Sequence, residues 1–284
     1  MGDLERFATS GPLRLWTERT GDPGHPAVLL IAGASAQGYT YPDALVTRLV
    51  GHGMQVIRYD HRDTGRSSVV DFDRRPYGLA DLAADALAVL DAYELPSAHI
   101  VGASMGGMVA QWIAVHEPAR LSALTLLSTT PMSFDHVAVW ERGIVAELPP
   151  PTPRFLRHQS DAKGVDADVA LFRVMHGDVL PFDEPAVRAM LERCWARATD
   201  PSAAANHSRA GGTMTPDRLA PLSAITAPTT VLHGDQDPIY VPAHGEALAA
   251  AIPGARLHIV EGMGHVYFSP GIPELLGDLI TRTD

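Results

Sequence analysis

The chain has 284 residues, and 22 Lys and Arg against 33 Asp and Glu give it a formal net charge of −11. Hydrophobic residues make up 46% of the chain and charged residues 19%, a composition that supports a sizeable core and excludes wholesale disorder. Because the chain is this acidic and Lys163 is its single lysine, nucleic acids and anionic membrane surfaces are not expected as partners.

Short apolar runs alternate with helical patterns along the chain, which is typical of an α/β fold with a mostly parallel sheet flanked by helices. Residues 13–18 come first and alternate like an antiparallel edge strand. Apolar runs then predict strands at residues 27–33, 54–60, 98–104, 122–128, 229–235 and 256–262. Helical periodicity is found at residues 79–93, 105–116, 245–251 and 273–281.

The alternation stops after about Pro131 and resumes near Pro228. The intervening residues 131–227 contain a proline-rich segment and a helix-like pattern near residues 186–198. We interpret this stretch as a helical cap inserted between two strands, with a structural excursion that has no role at the site as the alternative. The α/β core would then consist of residues 1–130 and 228–284.

The pattern G-x-S-x-G occurs around Ser104, where a predicted strand gives way to a predicted helix. A tight turn at this place lifts the serine hydroxyl above the sheet, and Gly102 and Gly106 relieve crowding around it. The amino terminus of the helix favours developing negative charge. We therefore predict that Ser104 is a nucleophile; the alternative is an ordinary helix-capping serine.

A serine hydroxyl needs a base that takes its proton and an acid that orients the base. In the chain order Ser, Asp, His, both partners follow later strands. His265 follows the last predicted strand in a loop with glycines, and it is the predicted base. Asp235 and Asp237 both come at the end of the strand before it, so the residues alone leave the acid open between them.

An anionic tetrahedral intermediate needs N–H donors that stabilise it. One predicted donor is the N–H of Met105, directly after the nucleophile. The other is the N–H of Ala34, in the loop after the strand at residues 27–33, where Gly33 lets a substrate carbonyl approach the backbone. The alternative for this loop is a plain glycine turn.

These segments together resemble the α/β-hydrolase family over essentially the whole chain: IAGASAQG, YDHRDTGRSS, VGASMGGMVAQWIA, HGDQDPIYVP and GMGH. The resemblance implies that the acid is the last residue of a G-x-x-D stretch, which selects Asp237. Two positions depart from the family pattern. Ala32 replaces the usual histidine of the oxyanion loop, and Asp63 stands in the loop that usually reads R-G-x-G-x-S, where we expect it to be a salt-bridge or turn residue.

Within the family, the RYDHRDTGRS loop, the SMGG elbow and the acid loop are most similar to the aclacinomycin methylesterase-like serine esterases, which remove a methyl ester from a polyketide antibiotic. The resemblance implies a serine carboxylic-ester hydrolase with an acyl-enzyme mechanism. Its expected substrate is a neutral, hydrophobic small-molecule ester, with a polyketide methyl ester as the specific candidate. No metal ion and no organic cofactor is required, and the sequence does not indicate an oligomeric state.

Other functions stay open. The same triad serves thioester, lactone and carbon–carbon bond hydrolysis and perhydrolysis, and a member of the fold can bind a ligand without hydrolysing it. A dinucleotide-binding protein is disfavoured because Ser104 occupies a position where G-x-G-x-x-G requires glycine. Dehalogenases and epoxide hydrolases need a carboxylate nucleophile at this position.

The cap and the single cysteine complete the predictions. Large cap residues could line an apolar pocket, although ordinary core packing also explains them: Trp140, Phe155, Leu171, Phe172, Met175, Phe182 and Trp195. Four histidines without metal-ligand spacing are expected at the surface or the pocket rim: His136, His158, His176 and His207. Cys194 is expected to be a buried hydrophobe. Without a visible secretory signal or an apolar run near the roughly 20 residues that span a bilayer, we expect a cytoplasmic protein.

Overall fold

The computed structural model describes residues 4–141, 147–158 and 163–282. Within these ranges the chain forms an eight-stranded sheet with the order β1-β2-β4-β3-β5-β6-β7-β8. The strands are β1 (Leu4–Ser10), β2 (Leu13–Thr20), β3 (Ala27–Ile31), β4 (Gln55–Tyr59), β5 (Ala98–Ala103), β6 (Leu121–Leu127), β7 (Thr229–Gly234) and β8 (Arg256–Val260). The helices are α1 (Asp43–Gly51), α2 (Leu79–Ala92), α3 (Met105–His116), α4 (Pro153–Arg157), α5 (Val165–His176), α6 (Glu184–Arg197), α7 (Asn206–Gly212), α8 (Ala243–Ala251) and α9 (Ile272–Thr281).

The sheet is parallel from β4 to β8 and is covered on both faces. Every residue of β3 and β4 is buried, as expected for strands that carry helices on both sides. Side chains of α1 and α9 pack on one face, and those of α2, α3 and α8 pack on the other. The predicted α/β fold is therefore confirmed, and the carboxyl ends of the parallel strands meet at one edge, where ligands bind in such sheets.

The antiparallel strand predicted at residues 13–18 is present, but its predicted position at the edge of the sheet was wrong. β2 lies between β1 and β4 and pairs antiparallel with both. β1 is the true edge, and it returns onto β2 through a tight turn at Gly11, which has a φ of +54° that glycine adopts without strain. Leu15 and Trp16 of β2 are fully buried, because a strand inside the sheet can carry large apolar side chains.

The described residues between β6 and β7 are largely helical, and they contact loops at the carboxyl edge of the sheet. They contain a π-helical turn at Val137–Glu141 and α4 to α7. Backbone hydrogen bonds join them to loops of the core, from the His265 N–H to the Met175 carbonyl at 2.7 Å and from the Thr199 N–H to the Gly65 carbonyl at 2.7 Å. These contacts place helical walls around the space above the sheet.

None of the helices in the described ranges is long and apolar enough to cross a membrane.

Candidate active site

Ser104 occupies a strained turn between β5 and α3. Its φ of 53° and ψ of −122° lie outside the regions that a side chain with a Cβ prefers, which costs on the order of 1–3 kcal/mol. Neighbouring elements hold this conformation. The Ser104 N–H donates to the Leu127 carbonyl at 3.0 Å, and the Thr129 hydroxyl donates to the Ser104 carbonyl at 2.6 Å. Strain concentrated at one residue of a sheet edge is typical of a functional position.

The glycines that flank this turn have no room for a Cβ. A Cβ on Gly106 would lie 2.2 Å from the Ile31 carbonyl oxygen, and one on Gly102 would lie 2.3 Å from the Gly106 carbonyl oxygen. Both contacts are to backbone, which cannot move aside without displacing β3 or α3. Backbone packing around this turn therefore requires both glycines of the G-x-S-x-G pattern.

We expect Gly106→Ala to lower the free energy of unfolding by about 1–3 kcal/mol or more, because overpacking against backbone forces α3 away from β3. Gly51→Ala at the end of α1 is the control, because a Cβ there meets nothing within 4 Å. Thermal unfolding of the two variants checks this. A melting temperature for Gly106→Ala that equals that of the unaltered chain would contradict the packing argument.

Asp237 and His265 form a buried pair. The His265 Nδ1 lies 2.8 Å from the Asp237 Oδ2, and the two residues are 8% and 2% exposed. The other carboxylate oxygen accepts the N–H groups of Ile239 and Tyr240, each at 2.9 Å. When the Asp237 carboxylate accepts a hydrogen bond from the Nδ1–H of His265, the proton of the imidazole is on Nδ1 and Nε2 carries the lone pair that a base needs.

Asp235, the other candidate acid, has a different role. Its Oδ1 accepts the N–H of Gly262 at 2.7 Å, which ties the end of β7 to the turn that precedes His265. The structure thus brings Asp237, and not Asp235, to the imidazole. The role of Asp235 is to shape the loop.

A second histidine, His233, lies near Asp237, and no sequence motif indicates it. Its Nε2 is 3.6 Å from the Asp237 Oδ2 and lies 2.6 Å from the Tyr240 carbonyl oxygen, to which it donates. Burial lowers the pKa of His233 and raises that of the Tyr240 phenol, so both are neutral. The tyrosine ring packs against the His265 imidazole with its centroid 5.7 Å away. Only its place on β7 could have indicated His233.

Ser104 and His265 line the same cavity of about 750 Å³, together with Ala34 and Met105. Among the described residues the Ser104 hydroxyl makes no hydrogen bond to the imidazole. In unliganded sites such bonds are often long and form only when substrate is bound. The four predicted residues that contact this space therefore share one cavity wall, and Asp237 lies behind it.

The loop after β3, which holds the predicted oxyanion donor Ala34, lies directly against Ser104. A Cβ on Gly33 would lie 3.2 Å from the Cβ of Ser104. The N–H groups of Ser35 and Ala36 are used, by the His207 Nδ1 at 2.9 Å and the Gly33 carbonyl at 3.2 Å. No acceptor in the described ranges takes the Ala34 N–H. Met105 opens α3, where a helix has no internal acceptor for its N–H.

Most of the predicted cap residues lie on the cavity wall. Five of the seven line it: Phe155, Leu171, Phe172, Met175 and Trp195. Phe182 instead packs on the His176 ring, with centroids 5.1 Å apart, and the side chain of Trp140 lies outside the described residues. His136 and His207 line the cavity, and His158 is half-buried. The expectation of a surface or rim position was wrong for His176 and His207, because both side chains are buried. Cys194 is buried on the wall, and burial raises the pKa of its thiol to about 12.

Asp63 is a buried turn residue. It adopts a φ of +67°, and its carboxylate accepts the N–H of Val70 and the hydroxyl of Tyr77, both at 2.6 Å, and the amide of Asn206 at 3.1 Å. These bonds hold the loop after β4 in place and use both carboxylate oxygens, which agrees with the expected turn role.

Arg197 of α6 connects the helical segment to the α/β core, and no sequence motif predicts this contact. Its Nη1 lies 2.7 Å from the Asp60 Oδ2 and 2.6 Å from the Gln37 Oε1, and its guanidinium stacks over the Trp16 ring at 4.2 Å. This cluster joins the helical segment to the loops after β3 and β4. No local pattern marks the pairing, because Asp60 and Arg197 are far apart in the chain.

In the part of the chain that the structure describes, no group of three or more His, Cys, Asp or Glu side chains could hold a metal ion.

Comparison with known proteins places this geometry in a family. A model of the alpha/beta hydrolase fold matches residues 26–271. The chain is 38% identical to rhodomycin D methylesterase DnrP of Streptomyces peucetius and 37% identical to rhodomycin D methylesterase DauP of Streptomyces sp. (strain C5), in each case over 92% of this chain and 91% of the relative. A crystal structure of a hydrolase from Pseudomonas aeruginosa PA01 is 30% identical, covers 90% of this chain and 89% of that one, and superposes with a TM-score of 0.69.

These findings confirm the resemblance described above and, at the level of the relatives' names, the prediction of a carboxylic-ester hydrolase. The family model covers the elbow, the acid loop and the terminal histidine together. The chain belongs to the alpha/beta hydrolase family.

Proposed function

We propose that Ser104, His265 and Asp237 are the catalytic triad of this carboxylic-ester hydrolase. The observation that carries the proposal is the buried hydrogen bond from His265 to Asp237, at the wall of the cavity that Ser104 also lines. The N–H groups of Ala34 and Met105 are the proposed oxyanion donors. Both lie at this wall without an acceptor among the described residues.

The reaction follows from these positions. The Nε2 of His265 takes the hydroxyl proton as the Ser104 oxygen attacks the ester carbonyl, and the oxyanion forms next to the two N–H donors. The carbon–oxygen bond to the alcohol breaks, and His265 returns the proton to the leaving alkoxide. Water, deprotonated by the same imidazole, then attacks the acyl-enzyme and releases the acid and free serine.

We further propose that residues 131–227 form a cap and that the substrate is the methyl ester of a hydrophobic, polycyclic polyketide. The cavity volume of about 750 Å³ lies in the usual range for small-molecule sites, and its cap-derived wall is mainly apolar. Leu171, Phe172 and Met175 of α5 line this space. The two relatives are named as methylesterases of rhodomycin D, which supports a methyl ester as the substrate class.

The test is hydrolysis of a panel of esters by the unaltered chain. The panel contains the methyl and tert-butyl esters of one aromatic polyketide acid, a short aliphatic ester and a lactone. We expect release of methanol from the polyketide methyl ester with the highest kcat/KM, and a single adduct on Ser104 after treatment with an organophosphonate. An adduct without turnover of any ester would indicate a ligand-binding protein. Higher kcat/KM for the lactone or the aliphatic ester would overturn the proposed substrate.

A further inference from the structure

The oxyanion loop contains a residue in a conformation that it does not adopt readily. Ser35 has a φ of +60°, in the left-handed region that strains a residue with a Cβ. Two hydrogen bonds hold it there. Its N–H donates to the His207 Nδ1 at 2.9 Å, and its hydroxyl donates to the Ala204 carbonyl at 2.8 Å. Both partners belong to the segment between β6 and β7, at the start of α7.

The hydrogen bond from Ser35 to His207 requires one particular protonation state of the imidazole. His207 is fully buried, and its Nε2 lies 2.8 Å from the Arg62 carbonyl oxygen, to which it donates. A ring that accepts at Nδ1 and donates at Nε2 exists in one form only, the neutral tautomer with its proton on Nε2. Burial lowers the pKa of His207, which keeps that form at neutral pH.

His61 supports the other end of the same loop. Its Nε2 donates to the Ala32 carbonyl at 3.0 Å, and its ring meets the His207 ring edge to face with centroids 5.5 Å apart. Burial lowers the pKa of His61 to about 3, so this imidazole is neutral as well. Two neutral, packed imidazoles therefore hold the backbone on both sides of Gly33 and Ala34.

We propose that His207 is a positioning residue for the oxyanion hole. By accepting the Ser35 N–H from the cap side, it fixes the peptide planes around Ala34 so that the Ala34 N–H stays available to the developing oxyanion. The segment that encloses the substrate then also holds the oxyanion hole in its active geometry. This inference rests on the proposed function.

Two substitutions separate the two hydrogen bonds of His207. The side-chain oxygen of His207→Asn falls near the position of Nδ1 and retains the bond to Ser35. The side-chain nitrogen of His207→Gln reaches the position of Nε2 and retains the bond to Arg62. Each variant loses one buried hydrogen bond, so their melting temperatures should fall by similar amounts.

We expect His207→Gln to lower kcat by about 10²-fold with little change in KM, since a misplacement on the order of 1 Å costs that much. Its affinity for a trifluoromethyl ketone, which mimics the tetrahedral intermediate, should fall by the same factor, while its affinity for the acid product should not change. His207→Asn should keep kcat within a few-fold of the unaltered chain. Equal kcat losses in the two variants, or an unchanged kcat in His207→Gln, would overturn the proposal.

Ser35→Ala provides a second, milder test. Ser35 is exposed, so the change should leave the melting temperature unaltered, and loss of its hydroxyl bond to Ala204 should lower kcat several-fold without raising KM. An unchanged kcat in Ser35→Ala would count against the cap as the support of this loop. Failure of the proposed function would look different, because the unaltered chain itself would then hydrolyse no ester.

Discussion

Replacing Ser104 with alanine is expected to lower kcat by about 10⁶-fold, the size of effect seen when a triad nucleophile is removed. Alanine keeps the Cβ and therefore the strained turn, but offers no oxygen to form the acyl-enzyme. The serine hydroxyl makes no hydrogen bond among the described residues, so its removal leaves no buried partner unsatisfied. The fold should persist, with a melting temperature close to that of the unaltered chain. Steady-state kinetics with a methyl ester and thermal unfolding measure the two quantities.

Ser122→Ala is the matched control for this change. Ser122 lies near the start of β6, at the opposite edge of the sheet, and is exposed. Its replacement removes the same hydroxyl from a site without chemistry, and kcat should stay unchanged. A kcat for Ser104→Ala within ten-fold of that of the unaltered chain would show that Ser104 is not the nucleophile. Hydrolysis would then have to proceed by direct attack of water.

The placement of the proposed triad residues is the part of this candidate site that sequence predicts best. Ser104 and His265 lie in short loops whose glycines and preceding strands leave a local pattern, because the turn itself requires those residue types. Asp237 is different, since two carboxylates stand two positions apart and both follow the same strand. The structure separates them by their partners, the imidazole for Asp237 and the Gly262 N–H for Asp235.

Elements whose stability comes from distant neighbours were not predicted. α1 buries Leu45, Val46 and Leu49 at helical spacing, but its nine residues are fewer than the roughly 11–18 over which a helical period is read from sequence. β1 carries mostly polar side chains and is a strand because it pairs with β2 through a tight turn. α5 also went unrecognised, because its apolar residues divide between two surfaces: Val169 is buried against α6, and Leu171 and Met175 line the cavity.

The hydrogen bonds that hold the loop after β3, the proposed oxyanion loop, are another case that no local pattern reveals. Ala32 marks the loss of the histidine that the family usually has there, yet the sequence does not indicate what replaces its contacts. In the structure, His61 and His207 bind this loop, although both are distant from it in the chain. Such pairings depend on the packing of the helical segment on the core, which only tertiary structure shows.

Replacing Asp237 with asparagine is expected to lower kcat by about 10⁴-fold while the fold persists. The asparagine oxygen can keep the two bonds from the Ile239 and Tyr240 N–H groups, which leaves the amide nitrogen facing the imidazole. An NH₂ group at this place needs an acceptor, so the proton of His265 moves to Nε2. The lone pair required for taking the Ser104 proton is then lost.

The same substitution at Asp235 is the control that tests the assignment of the acid. Asp235→Asn keeps an oxygen for the Gly262 N–H and does not contact the imidazole, so kcat should change by less than about ten-fold. Measuring kcat and organophosphonate labelling for both variants distinguishes orientation of the base from damage to the loop. A large loss in Asp235→Asn together with a small one in Asp237→Asn would reassign the acid, because the hydrogen bond at 2.8 Å would then not orient His265 for catalysis.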